Sequence, residues 1–138
     1  MTKSRYNRKG FSLAEAMMAV VLLAMATSAV SLPFIAGANV RAEGARRTVA
    51  AKLAHDLLEE IVNTDFNNII ATYDGYYEPQ GWVKNANGQV FTDPIYANFT
   101  RVATCTPATV ANVNLLWVTV YIYYNTEEMI HLSTLVGQ

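Results

Sequence analysis

Glu15 is the residue with the most unusual chemical setting in this sequence, because it stands at the start of a long apolar run. The run from Ala16 to Ala38 contains no charged residue. At about 1.5 Å per helical residue it would extend roughly 35 Å, against a bilayer hydrocarbon core of about 30 Å. An acid inside a membrane costs about 2.5 to 3.5 kcal/mol on insertion scales and usually has a partner. We therefore expect Glu15 to pair with an amine. The alternative is that it lies among the lipid headgroups.

The sequence offers no recognisable catalytic pattern elsewhere. Cys105 is the one cysteine, so it has no internal disulfide partner, and the favoured interpretation is a small buried apolar residue. A nucleophilic role would need a nearby base, but His55 and His131 fall in helical and strand patterns without a cysteine-enzyme signature. No Ser/His/Asp set, metal-ligand spacing or phosphate-binding loop is evident. We expect no enzymatic activity and no cofactor.

The charges are divided unevenly along the chain. Four of the ten Lys and Arg residues precede Gly10, which leaves six against eleven acidic residues in the remainder. A net acidic remainder argues against nucleic-acid binding, since affinity for phosphate chains comes largely from Lys and Arg. The basic start predicts that residues 1–10 are cytoplasmic and that the part after the apolar run is exported.

The junction Gly10-Phe11 precedes the apolar run, whereas a secretory signal peptide is cut after its apolar core. The string Lys9-Gly10-Phe11-Ser12-Leu13-Ala14-Glu15, with its basic leader and apolar continuation, resembles the signal of bacterial type IV prepilins and pseudopilins. The resemblance implies cleavage after Gly10 by a prepilin peptidase, N-methylation of Phe11, and an assembly role for Glu15, the fifth residue after the cut. Glu15 would then pair with an amine that cleavage creates.

The same resemblance implies partners and a location. The chain would be held in the bacterial inner membrane by a single span, and would join other pilin or pseudopilin subunits at an inner-membrane assembly platform. Membrane lipid would surround the span before assembly. Pro33 and Gly37 predict a kink or loosened turn near the end of the span, because proline removes a helical hydrogen bond and glycine is a poor helix former. Many relatives carry this proline one position earlier.

The predicted fold class is α+β. We divide the chain into a leader (1–10), a transmembrane or filament-core helix (11–39) and an exported domain (40–138), the last with an amphipathic helix (40–63), a loop (64–89) and a sheet (90–138). A stripe repeating every four residues, Val49, Leu53, Leu57 and Ile61, predicts the buried helix face. Scattered acids and amides in the loop, including Asp74, Glu78 and Asn85, are either calcium ligands or ordinary turn residues, and they lack a calcium-loop spacing.

The sheet is predicted from alternating apolar residues. Leu116, Val118, Val120 and Ile122 share one face of a strand over residues 115–124, and Ile130 and Leu132 belong to the same face of the next strand. Facing the same side requires an odd number of loop residues, so we predict a three-residue loop, Asn125-Thr126-Glu127, that pairs Ile122 with Ile130. A further strand is predicted for residues 95–104. The opposite face carries Trp117, Tyr121 and Tyr123, a candidate subunit contact if exposed.

Within the family we favour a minor pilin or minor pseudopilin, because main pilins often carry a carboxy-terminal cysteine pair and the segment Leu53–Ile61 resembles minor subunits. The expected function is thus a structural minor subunit of a type IV pilus or a type II secretion pseudopilus. The alternative is a single-span, signal-anchored envelope protein with an exported binding domain.

Overall fold

The computed structural model describes residues 10–138, so the predictions for the basic leader, apart from Gly10, lie outside the described residues. The fold is α+β, as predicted: a long helix α1 (Leu13–Val62), a short helix α2 (Phe66–Tyr73), strands β1 (Tyr76–Glu78), β2 (Phe99–Val110), β3 (Val113–Tyr124) and β4 (Glu127–Gly137), with a 3-10 turn at Pro94–Tyr96. The chain divides into two compact units, one ending at Ala42 and the other comprising Glu43–Gln138.

In the first unit, α1 exposes its large apolar side chains. Along the described residues, α1 is the one helix long and apolar enough to cross a membrane by length and composition. The three polar side chains of the run, Thr27, Ser28 and Ser31, each donate a hydrogen bond of 2.8–3.0 Å to a backbone carbonyl of the preceding turn. Their hydroxyl groups therefore need no water, as a hydrocarbon environment requires.

The second unit contains a four-stranded antiparallel sheet in the order β1-β2-β3-β4. The predicted pairing of Ile122 with Ile130 is confirmed, but the predicted three-residue loop is wrong. The loop has two residues, Asn125 and Thr126, both with positive φ (50° and 81°), as the tight turns that suit twisted hairpins require. A bulge at Met129 supplies the extra residue that brings Ile122 opposite Ile130, so the requirement for an odd number of loop residues was wrong because it left out a bulge in the strand.

The core forms between the second part of α1 and one sheet face. Leu53, Leu57 and Ile61 from the predicted stripe are fully buried, and the even-numbered residues of β3 from Leu116 to Ile122 lie in the same cluster. Burying each of these side chains contributes about 1.5–3 kcal/mol relative to exposure. The predicted helix stripe and the predicted apolar face of β3 thus belong to one core.

The segment predicted as a loop over residues 64–89 has more structure than expected. It contains α2, which Asp65 caps by accepting a 2.9 Å bond from the Asn67 N–H, and also β1, which adds an edge strand to the sheet. The strand predicted to begin at Ile95 begins at Phe99, because Pro94 starts a 3-10 turn there. Short elements of three and eight residues bury too few side chains to leave a clear periodic pattern.

A buried ion pair ties this irregular segment to the sheet and to α1. Arg101 donates from Nε to Oε2 of Glu78 at 2.6 Å, and the two side chains are only 3% and 4% exposed. Arg101 also donates to the carbonyl oxygens of Leu53 (3.4 Å) and Lys84 (2.9 Å). Glu78 accepts a 2.6 Å bond from the Tyr76 hydroxyl and a 3.3 Å bond from the Lys84 N–H. Each charge thus has several partners, which a buried charge requires.

Candidate functional site: the amino-terminal processing and anchoring segment

The predicted junction lies just outside the first turn of α1. Gly10 and Phe11 precede the helix, which begins at Leu13, and both residues are exposed. A Cβ atom built on Gly10 would have no heavy atom within 4 Å. Packing among residues 10–138 therefore does not require a glycine at this position.

Ser12 has a structural role beside this junction that our sequence interpretation missed. Its Oγ accepts a 3.2 Å hydrogen bond from the Glu15 N–H, and its carbonyl accepts bonds from the Glu15 and Ala16 N–H groups at 3.1 Å. Ser12 thus caps α1. The signal was present in the sequence, since a serine three residues before a glutamate is the pattern of a capping box.

Glu15 lies in the first turn of α1 and is exposed. The first-turn N–H groups and the positive end of the helix dipole favour a carboxylate there by about 0.3–1 kcal/mol. This is less than the insertion cost of an acid in hydrocarbon, about 2.5–3.5 kcal/mol. The helix terminus therefore offsets part of that cost, and pairing with an amine stays a prediction.

Pro33 and Gly37 lie within α1, which continues through both of them to Val62. Proline has no N–H, so the Ala29 carbonyl, four residues earlier, loses its usual helical donor. Gly37, like Gly10, has open space where a Cβ atom would stand. The helix does not end at these residues, and the predicted kink stays a prediction.

Comparison with known proteins bears on this same segment. The profile of the prokaryotic N-terminal methylation motif matches residues 5–31. The chain carries a type IV prepilin-like signal. The matched range includes Gly10, Phe11, Glu15 and the first part of the apolar run, the residues on which the resemblance rested. Neither the curated proteins nor the solved structures gave a match to the chain.

The prepilin-like signal and the long apolar helix together fit a membrane-anchored, pilin-like precursor. Such a signal implies processing by a prepilin peptidase and assembly with other pilins. The second unit, Glu43–Gln138, lies outside the matched range. Its role must therefore be argued from its own residues.

The other residues considered for chemistry lie in the second unit. Cys105 is buried, as predicted, and burial together with the nearby Asp74 carboxylate raises the pKa of its thiol. His131 contacts Glu128 at 2.8 Å on the exposed face of β4, and His55 lies 3.8 Å from Glu59 on α1. Within residues 10–138, neither histidine forms a hydrogen bond with the thiol.

The loop acids and amides bond to backbone groups of their own unit. The Asn85 side chain accepts from the N–H groups of Asn87 and Gln89, Asp93 accepts from Ile95, and Asp74 accepts from the Cys105 N–H at 3.1 Å. Among residues 10–138 no group of three or more His, Cys, Asp or Glu side chains stands close enough to hold a metal ion. The geometry favours turn chemistry over calcium ligation for these residues.

Proposed function

We propose that this chain is the precursor of a minor structural subunit of a type IV pilus or a type II secretion pseudopilus. The observation that carries the proposal is the methylation motif at residues 5–31, whose Gly10-Phe11 junction lies exposed outside α1. A peptidase must bind an extended, accessible peptide, and residues ahead of a helix meet that condition. Cleavage there would leave the apolar helix on the mature subunit as both anchor and assembly element.

In this proposal the mature subunit is stored in the inner membrane with its amino terminus on the cytoplasmic side and residues 43–138 exported. The exposed apolar side chains of α1 first contact lipid and later contact the helices of neighbouring subunits. Small residues such as Ala19, Ala24 and Ala26 allow close approach of helices in an apolar environment. The assembly platform and the other pilin subunits are the partners.

Glu15 is proposed to set the position of each subunit along the filament. Cleavage creates a new amine on Phe11, and an amine of the neighbouring subunit neutralises the Glu15 carboxylate. Opposite charges attract each other more strongly in an apolar filament core than in water, and an unpaired carboxylate there is costly, so an unpaired Glu15 opposes insertion in the wrong register. The capping role of Ser12 holds the first turn of the helix that presents the carboxylate.

We also propose that the subunit has no catalytic activity of its own. The buried Cys105 thiol, with its raised pKa, forms little of the thiolate that a nucleophile needs. Cys105 is also a lone cysteine, which supports a minor subunit over main pilins with a cysteine pair.

The proposal is tested by expressing the full chain with a prepilin peptidase and measuring the intact mass and amino-terminal sequence of the product. We expect a chain that starts at methylated Phe11. Gly10→Ala should abolish or strongly reduce cleavage, whereas Gly37→Ala should be processed normally. The two variants are matched because neither new Cβ atom has a neighbour within 4 Å. A product that keeps unmodified Met1 would contradict the proposal and favour a signal-anchored envelope protein with an exported binding domain.

A further inference from the structure

The outer face of the sheet, opposite the core, contains an open cleft of about 530 Å³. We call it the tyrosine cleft. Its lining includes Tyr77, Gln80, Thr100, Val102, Tyr123 and Thr126. This volume falls within the range of small-molecule sites, about 300–1,000 Å³.

Paired strands hold the cleft in place. Tyr77 on β1 stands opposite Val102 on β2, and Thr100 on β2 stands opposite Tyr123 on β3. The two tyrosines thus flank a floor that β2 provides. Sites on paired strands keep their geometry better than sites on loops alone. Thr126, in the tight turn between β3 and β4, completes one end.

The polar groups of the cleft are available for a ligand. In the described part of the protein, the tyrosine and threonine hydroxyls that form hydrogen bonds belong to residues that do not line the cleft. The hydroxyls of Tyr77, Tyr123, Thr100 and Thr126, and the amide of Gln80, make no hydrogen bond there. Hydroxyl and amide groups both donate and accept, so they suit a ligand rich in hydroxyl groups.

The absence of charged side chains from the cleft lining indicates which class of ligand it suits. Its lining contains no Asp, Glu, Lys, Arg or His, although residues 43–138 carry many charges. An uncharged site complements an uncharged ligand, because burying an unpaired charge is costly. The ring of Tyr77, 61% exposed, offers an apolar face that attracts the weakly positive C–H groups of a sugar ring.

Further aromatic residues extend this surface on both sides. Tyr121 lies beside Tyr123 with ring centroids 6.5 Å apart and an interplanar angle of 26°. On the other side, Tyr77 also lines a second recess of about 300 Å³ together with Trp82, which is 63% exposed, and with Glu78 and Lys84, so the uncharged lining is a property of the tyrosine cleft itself. Aromatic side chains on both sides of the cleft suit an extended chain better than a single small molecule.

We propose that the tyrosine cleft binds an uncharged oligosaccharide or polysaccharide chain. Aromatic rings on both sides would contact successive sugar rings, and Gln80, Thr100 and Thr126 would bond to sugar hydroxyls. The proposal goes beyond filament assembly and does not depend on cleavage at Gly10. A filament subunit and a signal-anchored envelope protein could each carry such a site.

The test uses the full chain in lipid nanodiscs, since alkyl glycoside detergents would themselves present sugar rings. Binding of three neutral hexasaccharides, from maltose-, cellulose- and chitin-type chains, is measured by titration calorimetry. We expect at least one to bind, and Tyr77→Ala and Tyr123→Ala each to weaken that binding about fivefold, the loss of one aromatic contact. Gln80→Ala is a third variant that should weaken binding, because Gln80 would bond to a sugar hydroxyl. It does not disturb the core, since Gln80 lies on an exposed turn.

Trp117→Ala is the matched control, because Trp117 is a half-exposed aromatic on the same sheet face but does not line the cleft. It should leave binding unchanged. The proposal is overturned if none of the three saccharides binds at up to about 10 mM, near the weak end of measurable affinity. Equal losses in the Trp117 and tyrosine variants, or tighter binding of a charged hyaluronan hexasaccharide or a proline decapeptide, would also overturn it.

Discussion

Replacing Arg101 by methionine should destabilise the second unit more than almost any other single substitution of a polar residue. The change removes the counter-charge 2.6 Å from Glu78 and the donors to the carbonyls of Leu53 and Lys84. Methionine fills a similar space, so the effect is mainly electrostatic. Glu78 would remain buried with the Tyr76 hydroxyl and the Lys84 N–H as its remaining donors.

The expected loss is about 3–5 kcal/mol of unfolding free energy, the cost of breaking a buried pair by removing one partner. This is a large part of the roughly 5–15 kcal/mol that keeps a domain of this size folded. For a unit of about a hundred residues, each kcal/mol lowers the melting temperature by about 4–8 °C. We therefore expect Arg101→Met to lower it by about 12 °C or more.

Arg47→Met is the matched control, because Arg47 also makes an ion pair of similar length. Its Nε lies 2.9 Å from Oε1 of Glu43, but the two side chains are 68% and 42% exposed. Solvent screens such a pair, so its loss should cost at most about 1 kcal/mol. Both variants are compared with the parent chain by thermal unfolding, followed by circular dichroism.

The double variant Glu78→Gln/Arg101→Met separates charge from packing. It also removes the charge that Arg101→Met leaves unpaired, so it should be more stable than Arg101→Met alone. Equal melting temperatures for Arg101→Met and Arg47→Met would refute the reasoning. So would a double variant whose loss equals the sum of two independent single losses.

Three further predictions concern other parts of the chain. Burial and the bond to the Glu78 carboxylate raise the pKa of Tyr76 above its usual 10.0, so unfolding free energy should fall as pH rises above about 10, and Tyr76→Phe should flatten this fall in alkaline unfolding titrations. A steeper fall in the variant would contradict it. The Cys105 thiol, buried beside Asp74 with a raised pKa, should react with a thiol reagent at pH 7 far more slowly than in urea; equal rates would show that it is accessible. Glu15→Ala should leave cleavage and membrane insertion intact but reduce incorporation into filaments, and parent-level incorporation measured in sheared filament fractions would exclude the pairing role.

Local patterns predicted much of the fold. The sequence was enough to predict two buried faces, the stripe of Leu53, Leu57 and Ile61 and the even-numbered face of β3. Burial of each side chain follows from the period of its own helix or strand. The pairing of Ile122 with Ile130 followed from the same rule, since a shift by one residue would expose the apolar face. The loop length did not follow, because a bulge at Met129 satisfies the same parity as an extra loop residue.

The candidate processing segment was also readable in advance, because its residues are adjacent in the chain. Gly10, Phe11 and Glu15 form one short motif, and the comparison with known families matched the same stretch. The cap at Ser12 was missed although its partner, Glu15, had been singled out. A capping box lies wholly within four consecutive residues and needs no tertiary information.

The sequence by itself determined the apolar helix, the signal that precedes it and the faces that form the core, since these depend on composition and periodicity over neighbouring residues. Only the tertiary structure decided that Glu78 would meet Arg101, 23 residues away, and that Tyr77 and Tyr123 would flank one cleft. Such contacts depend on which strands become neighbours and in what register. The physical reason is that a residue's periodic position determines which way its side chain faces, while packing of the whole unit determines what that side chain meets.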